Sequence, residues 1–177
     1  MSLSHLICID AVQRLEDVHS FLRDARAQMF GALVNPQETP ADLLQFDAVY
    51  DGGSGQMWAA RDAQGAVVGS IAYRAYDGRF AQLDFGPQRV VEVVRLFVAP
   101  AWRRQGLAQA LFATLRAHAR AQGVQLLYLH THPFLPGAEA FWQRNGFAVL
   151  QREDDPVWQT IHMQCALEAE IGSGPQT

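Results

Sequence analysis

Apolar residues recur at three- and four-residue intervals at Leu15, Val18, Phe21, Leu22, Ala25 and Met29, which predicts a helix over 12–30. Asn35-Pro36 ends it. Thr39-Pro40 then offers a cap and a first helical residue for a second helix to about 49. Short apolar runs predict strands over 6–9, 56–61 and 66–73, the last two joined by a hairpin turn at Asp62-Ala63-Gln64-Gly65. Residues 76–88 are polar and aromatic with two glycines, as a loop requires. Residues 90–98 form a near-continuous β-branched and apolar run, typical of a central strand. A helix over 106–120 carries Leu107, Leu111, Leu115 and His118 on one side, with Ala108, Phe112 and Ala119 beside them, and Gly123 stops it. A strand over 125–130, a short helix over 136–145 closed by Gly146, and strands over 147–151 and 158–166 complete the pattern. Strand, helix and strand in succession from residue 90 make a βαβ unit with a right-handed crossover.

The chain has 177 residues, enough for one domain with a core. No repeat or linker divides it. The domain is expected over 1–167, with a disordered polar tail over 168–177. A net charge of −4 argues against a general nucleic-acid binder. No apolar run is long enough for a bilayer, and Met1-Ser2-Leu3-Ser4-His5 lacks the basic region of a signal peptide, so a cytoplasmic location is expected, with no membrane partner. Cys8 and Cys165 both sit among apolar neighbours and are expected to be reduced core residues. Without a CxxC or a Cys/His cluster, no metal site is expected. His130-Thr131-His132 has the spacing of a metal pair, but no third ligand is evident.

The chemistry concentrates at Arg103-Arg104-Gln105-Gly106-Leu107-Ala108, where a strand gives way to a basic turn and then a helix. Unpaired backbone N–H groups, a positive helix end and two arginines meet there, which suits a phosphate or pyrophosphate. A Cβ at Gly106 would obstruct close approach to phosphate oxygens.

Val98-x-Pro100-x-x-Arg103-Arg104-x-Gly106-x-Ala108, followed by a helix, a strand and Phe141-Trp142-x-x-x-Gly146-Phe147, resembles the GNAT superfamily of acetyl-CoA-dependent acyltransferases. The first segment fits its Gln/Arg-x-x-Gly-x-Gly/Ala signature. The second fits Phe-Tyr-x-x-x-Gly-Phe except at Trp142. The resemblance implies a single α/β domain with a mixed, splayed central sheet flanked by helices. It implies acetyl-CoA as co-substrate, its pyrophosphate on the N–H groups of Arg104, Gln105, Gly106, Leu107 and Ala108, with Arg103 and Arg104 adding charge. It also implies that the pantetheine arm pairs with the backbone of Leu96, Phe97 and Val98, and that Phe141 and Trp142 border it. The Leu96 N–H would polarise the acetyl carbonyl.

The implied reaction is direct attack of a primary amine on the thioester, most simply the amine of a small molecule. A homodimer is compatible with it. A non-catalytic acyl-CoA sensor and a protein lysine or N-terminal acetyltransferase stand as alternatives. Glu92, four residues before Leu96, is the candidate base. Its bland alternative is a carboxylate paired with Arg95 or another cation. Trp142 stands where the family places a tyrosine acid, and an indole N–H cannot protonate a thiolate. Tyr73, Tyr76 and Tyr128 are open substitutes. Asp77 and Asp84, in the loop before the central strand, are candidates to attract a cationic amine.

Overall fold

The computed structural model describes residues 7–168; the predicted tail lies outside the described residues, Glu168 excepted. The strands are β1 (Cys8–Ala11), β2 (Gln56–Arg61), β3 (Val67–Ala75), β4 (Val90–Val98), β5 (Leu126–Thr131), β6 (Ala148–Arg152) and β7 (Ile161–Ala166). The helices are α1 (His19–Phe30), α2 (Ala41–Leu44), α3 (Phe46–Val49), α4 (Leu107–Ala121) and α5 (Ala138–Arg144). Together they give the expected α/β fold, a seven-stranded mixed sheet in the order β1-β2-β3-β4-β5-β7-β6. The described residues fall into two compact units, 7–76 with 92–115, and 77–91 with 116–168.

In the first unit, β1 runs antiparallel to β2 with Cys8 opposite Arg61, and β2 antiparallel to β3 with Gln56 opposite Tyr73. The predicted hairpin turn closes through Asp62, whose carboxylate accepts the N–H groups of Gln64 and Ala66. A core of Val12, Val18, Leu22, Leu43, Phe46, Tyr50, Met57, Ala59 and Ala72 lies under α1, α2 and α3. Elsewhere in this unit α4 packs closely on β3. A Cβ at Gly69 would stand 3.0 Å from the Leu111 side chain and 3.5 Å from that of Leu107, so only glycine leaves that approach unhindered.

Three expectations are corrected here. The helix predicted from residue 12 begins at His19. Val12 is buried, but its N–H donates to the Met57 carbonyl at 2.8 Å and continues the β1 ladder, so an apolar spacing shared with α1 conceals an extended segment. The helix predicted to run to 49 divides at Gln45, whose ψ of 35° interrupts it. Cys8 is exposed rather than in the core, and donates to Asp10 at 3.1 Å; Cys165 is buried, and both thiols are free.

In the second unit β7 lies between β5 and β6, antiparallel to both, with Leu126 opposite Ala166 and Ala148 opposite Gln164. Residues 77–89 form the predicted loop.

Candidate active site

β4 does not run straight. Arg95 has φ 61°, a left-handed conformation that costs a non-glycine residue about 1–2 kcal/mol. Its neighbours hold it there. Ser70 Oγ donates to the Arg95 carbonyl at 2.7 Å. The guanidinium grips Asp42 of α2 with both arms, Nε to Oδ2 at 2.8 Å and Nη2 to Oδ1 at 2.5 Å, while the Tyr50 hydroxyl donates to the same carboxylate at 2.6 Å. Arg74 of β3 extends the network. Its Nη1 lies 3.8 Å from Asp42, and its Nε and Nη2 each lie 3.2 Å from Oε2 of Glu92.

The network sets the local charge states. Burial pushes the Asp42 carboxyl up, but Arg95, Tyr50 and Arg74 outweigh it and hold it below the usual carboxylate range. Burial and the Asp42 charge push the Tyr50 phenol well above its ordinary value. Glu92 is fully buried and pairs with Arg74, so the cation of the alternative reading is present beside it.

The bulge also decides which side chains share a face. Glu92 meets Arg74, Val94 packs on the α1–α3 core, Arg95 meets Asp42, and the Phe97 ring lies edge-on to Phe21 of α1 at 5.8 Å. All four therefore occupy one face of β4. The extra residue at Arg95 shifts the alternation, so the Leu96 side chain turns to the opposite face. Strict alternation would put Glu92, Val94 and Leu96 on one face, and the bulge keeps that only as far as Val94. It is Glu92 and Arg95 that stand together.

From that face Arg95 reaches a cavity of about 150 Å³ walled by α1 and the segment 34–40, with Leu22, Leu43 and Glu38 also in its lining. Arg26, also in the lining, donates to the carbonyls of Asn35 at 2.8 Å and Glu38 at 3.3 Å, which fixes the 34–40 wall to α1.

Beyond β4 comes a single 3₁₀ turn, Pro100–Trp102, then an exposed corner with Arg104 at φ 61° and Gly106 at φ 80° before α4 starts. Left-handed residues in such a corner turn successive N–H groups toward one point, and helix geometry leaves the first N–H groups of α4, at Leu107 and Ala108, without an intrahelical acceptor. An anion therefore has a cradle here. Gly106 is needed for its backbone conformation, because a Cβ there meets nothing of the protein within 4 Å. Arg103 does not project toward the corner. Its Nε donates to the Val98 carbonyl at 2.9 Å, so of the two expected cations Arg104 is the one whose side chain is not committed to the fold.

The second unit holds the other named residues. Trp142 is buried in the core, its ring 4.9 Å from Phe141 and 5.2 Å from Phe147. Asp77 accepts the N–H and guanidinium of Arg79, and Asp84 accepts the Gly86 N–H at 2.8 Å. Both thus cap turns of the loop. His132 bonds the Trp158 carbonyl at 2.9 Å and stacks on Phe134, and burial holds its imidazole below the ordinary histidine value. Among the described residues no cluster of His, Cys, Asp and Glu is arranged to hold a metal ion. One array escaped the sequence. Tyr128 Oη lies 2.7 Å from His162 Nδ1, and His162 Nε2 lies 2.7 Å from Glu153 Oε1. His130 faces His162 across β5 and β7, so the shared alternation of these strands was the available signal.

Residues 18–147 match the model of the acetyltransferase (GNAT) family. No curated protein is recognisably similar in sequence. Solved structures share the fold. A GNAT-family acetyltransferase from Staphylococcus aureus Mu50 is 21% identical with a TM-score of 0.73, over 92% of this chain and 99% of that one. PaiA N-acetyltransferase from Thermoplasma acidophilum, in complex with coenzyme A, is 15% identical with a TM-score of 0.69, over 91% and 99%. Spermidine N-acetyltransferase from Vibrio cholerae, with CoA and spermine, is 16% identical with a TM-score of 0.65, over 90% and 95%.

Proposed function

The chain belongs to the GNAT acetyltransferase family, and on that premise we propose that it transfers an acetyl group from acetyl-CoA to the primary amine of a small molecule. The observation that carries this is one run of chain. The β4 bulge at Arg95, the left-handed corner at Arg104 and Gly106, and the N-terminus of α4 follow one another within the first unit. The corner and helix end hold the pyrophosphate through the N–H groups of residues 104–108. The pantetheine arm lies along Leu96, Phe97 and Val98, and the Leu96 N–H meets the acetyl carbonyl, where a donor stabilises the developing oxyanion. The amine enters the cavity floored by Arg95, one residue away.

The neutral amine attacks the carbonyl carbon, and the tetrahedral intermediate collapses to an amide with loss of the thiolate. Glu92 takes the ammonium proton. It lies on the same face of β4 as Arg95, which lines the cavity, and takes the proton by way of a water that the cavity admits. Trp142 cannot supply the proton for the thiolate, which solvent provides. The tryptophan in the acid position also favours a second reading, a sensor that binds acyl-CoA without turnover.

Calorimetric titration with acetyl-CoA and a thiol-release assay across amino acids, polyamines and aminoglycoside-type amines test both. Binding with thiol release for one amine class is expected. Absence of cofactor binding overturns the proposal, and binding without release from any amine favours the sensor.

A further inference from the structure

We infer that Asp42 is a positioning residue, whose carboxylate locks the Arg95 bulge of β4 and thereby aims the Leu96 N–H at the thioester carbonyl. This rests on the proposal above that Leu96 N–H meets that carbonyl.

The bulge is over-determined. Glycine would adopt φ 61° without strain, yet the position holds an arginine. The side chains of this arginine and of Asp42 are only 16% and 5% exposed. A buried ion pair is a poor source of stability by itself, because both charges lose hydration. A strained backbone point pinned by its surroundings is instead what a site needing one fixed geometry requires. Ser70 holds the carbonyl of that same residue at 2.7 Å, so Arg95 is fixed at its main chain and its side chain together. The next N–H along the chain is that of Leu96. Tyr50 orients the Asp42 carboxylate at 2.6 Å, which ties the lock to α3. Asp42 comes from α2, and its helix neighbour Leu43 lines the cavity. The wall of the cavity and the strand facing the carbonyl are thus joined through one carboxylate.

The substitution that separates this role from ordinary packing is glycine against alanine. Arg95→Ala keeps a strained conformation with no lock. Arg95→Gly needs no lock. The readouts need no acceptor: the carbonyl stretch of bound ¹³C-acetyl-CoA by isotope-edited infrared, and the ratio of acetyl-CoA to CoA affinity. Wild-type protein is expected to lower the carbonyl frequency on binding. Asp42→Asn and Arg95→Ala should lose most of that shift and about five- to tenfold of any preference for acetyl-CoA, the scale of one hydrogen bond. Arg95→Gly should retain most of the shift, and adding Asp42→Asn to it should change little. CoA itself should bind all variants within about twofold, because its pyrophosphate rests on residues 104–108. A full shift in Asp42→Asn overturns the inference. So do equal shifts in Arg95→Ala and Arg95→Gly, the comparison that decides the matter if Asp42→Asn fails to fold. Failure of wild-type protein to bind CoA would instead refute the proposed function.

Discussion

Arg103 turns back on the strand it follows, with its guanidinium carbon 5.3 Å above the Phe97 ring and its Nε on the Val98 carbonyl. Two adjacent arginines that look interchangeable in sequence therefore do different work. Arg103 closes the end of β4, and Arg104 stands on the exposed corner where the pyrophosphate is proposed to rest.

Arg104→Ala is expected to weaken acetyl-CoA binding roughly three- to tenfold at low salt, with a smaller loss at high salt and an unchanged melting temperature. Arg103→Ala should lower the melting temperature first. Titrations at two ionic strengths, beside thermal melts, check this. Arg103→Ala that melts normally while losing salt-dependent affinity would reverse the two roles.

Gly106→Ala should destabilise even the free protein by about 1 kcal/mol, because φ 80° strains any residue with a Cβ. Cofactor affinity should fall as well, as the corner relaxes away from its left-handed form. Melts with and without acetyl-CoA measure both. An unaltered free protein with reduced binding would restore the simpler view that a Cβ only blocks the phosphate.

The long elements were readable because their signals were redundant. The strand predicted over 90–98 is β4 as observed, and the helix predicted from 106 is α4 within a residue. The corner at Gly106 was readable as backbone geometry, because a glycine just before a helical periodicity suits a left-handed turn. What the sequence hid were contacts between distant segments. Nothing near Arg95 announces a bulge, since an arginine in a strand carries no sign of a left-handed φ, and its partner Asp42 lies 53 residues away. Val12 and Val18 fit a helical spacing because both face the core, though only a strand-like segment and a short turn connect them. Tyr128, His162 and Glu153 meet only because β7 pairs with β5, a topology that local patterning does not specify.

His132 makes stability pH-dependent. Burial, the largest cause, disfavours its charged form, and the nearby His130 adds to this; the Trp158 carbonyl and the carboxylates of Asp155 and Glu153 oppose it incompletely. The folded value lies below the unfolded one, near 6.5, so the unfolded chain binds the proton more readily. Stability from this residue is full above about 6.5 and declines as pH falls through that value toward the folded one. Denaturant melts between pH 7.5 and 5 should show a shallower decline in His132→Phe than in wild type. Parallel slopes would refute it.

Glu92 carries the sharpest test, because two roles converge on one carboxylate. As the ion-pair partner of Arg74 it is part of the network that reaches Asp42, and as a buried carboxylate on the Arg95 face of β4 it is the proposed base. Glu92→Gln keeps the shape and removes the charge. Losing Glu92 leaves Arg74 with the longer, 3.8 Å contact to Asp42 in place of a close partner, so the melting temperature should fall in either case. The rate separates the roles. Loss of a general base costs about a hundredfold to ten-thousandfold. With an acceptor amine identified by thiol release, turnover at neutral pH should drop by at least the lower figure. The deficit should narrow as pH rises, because a larger share of the amine is then already neutral and needs no base. Arg74→Gln removes the same ion pair and leaves the carboxylate, so it should match the loss of stability without matching the loss of rate. If both variants slow turnover equally and with the same pH profile, the base assignment falls, and Glu92 is a member of the charge network alone.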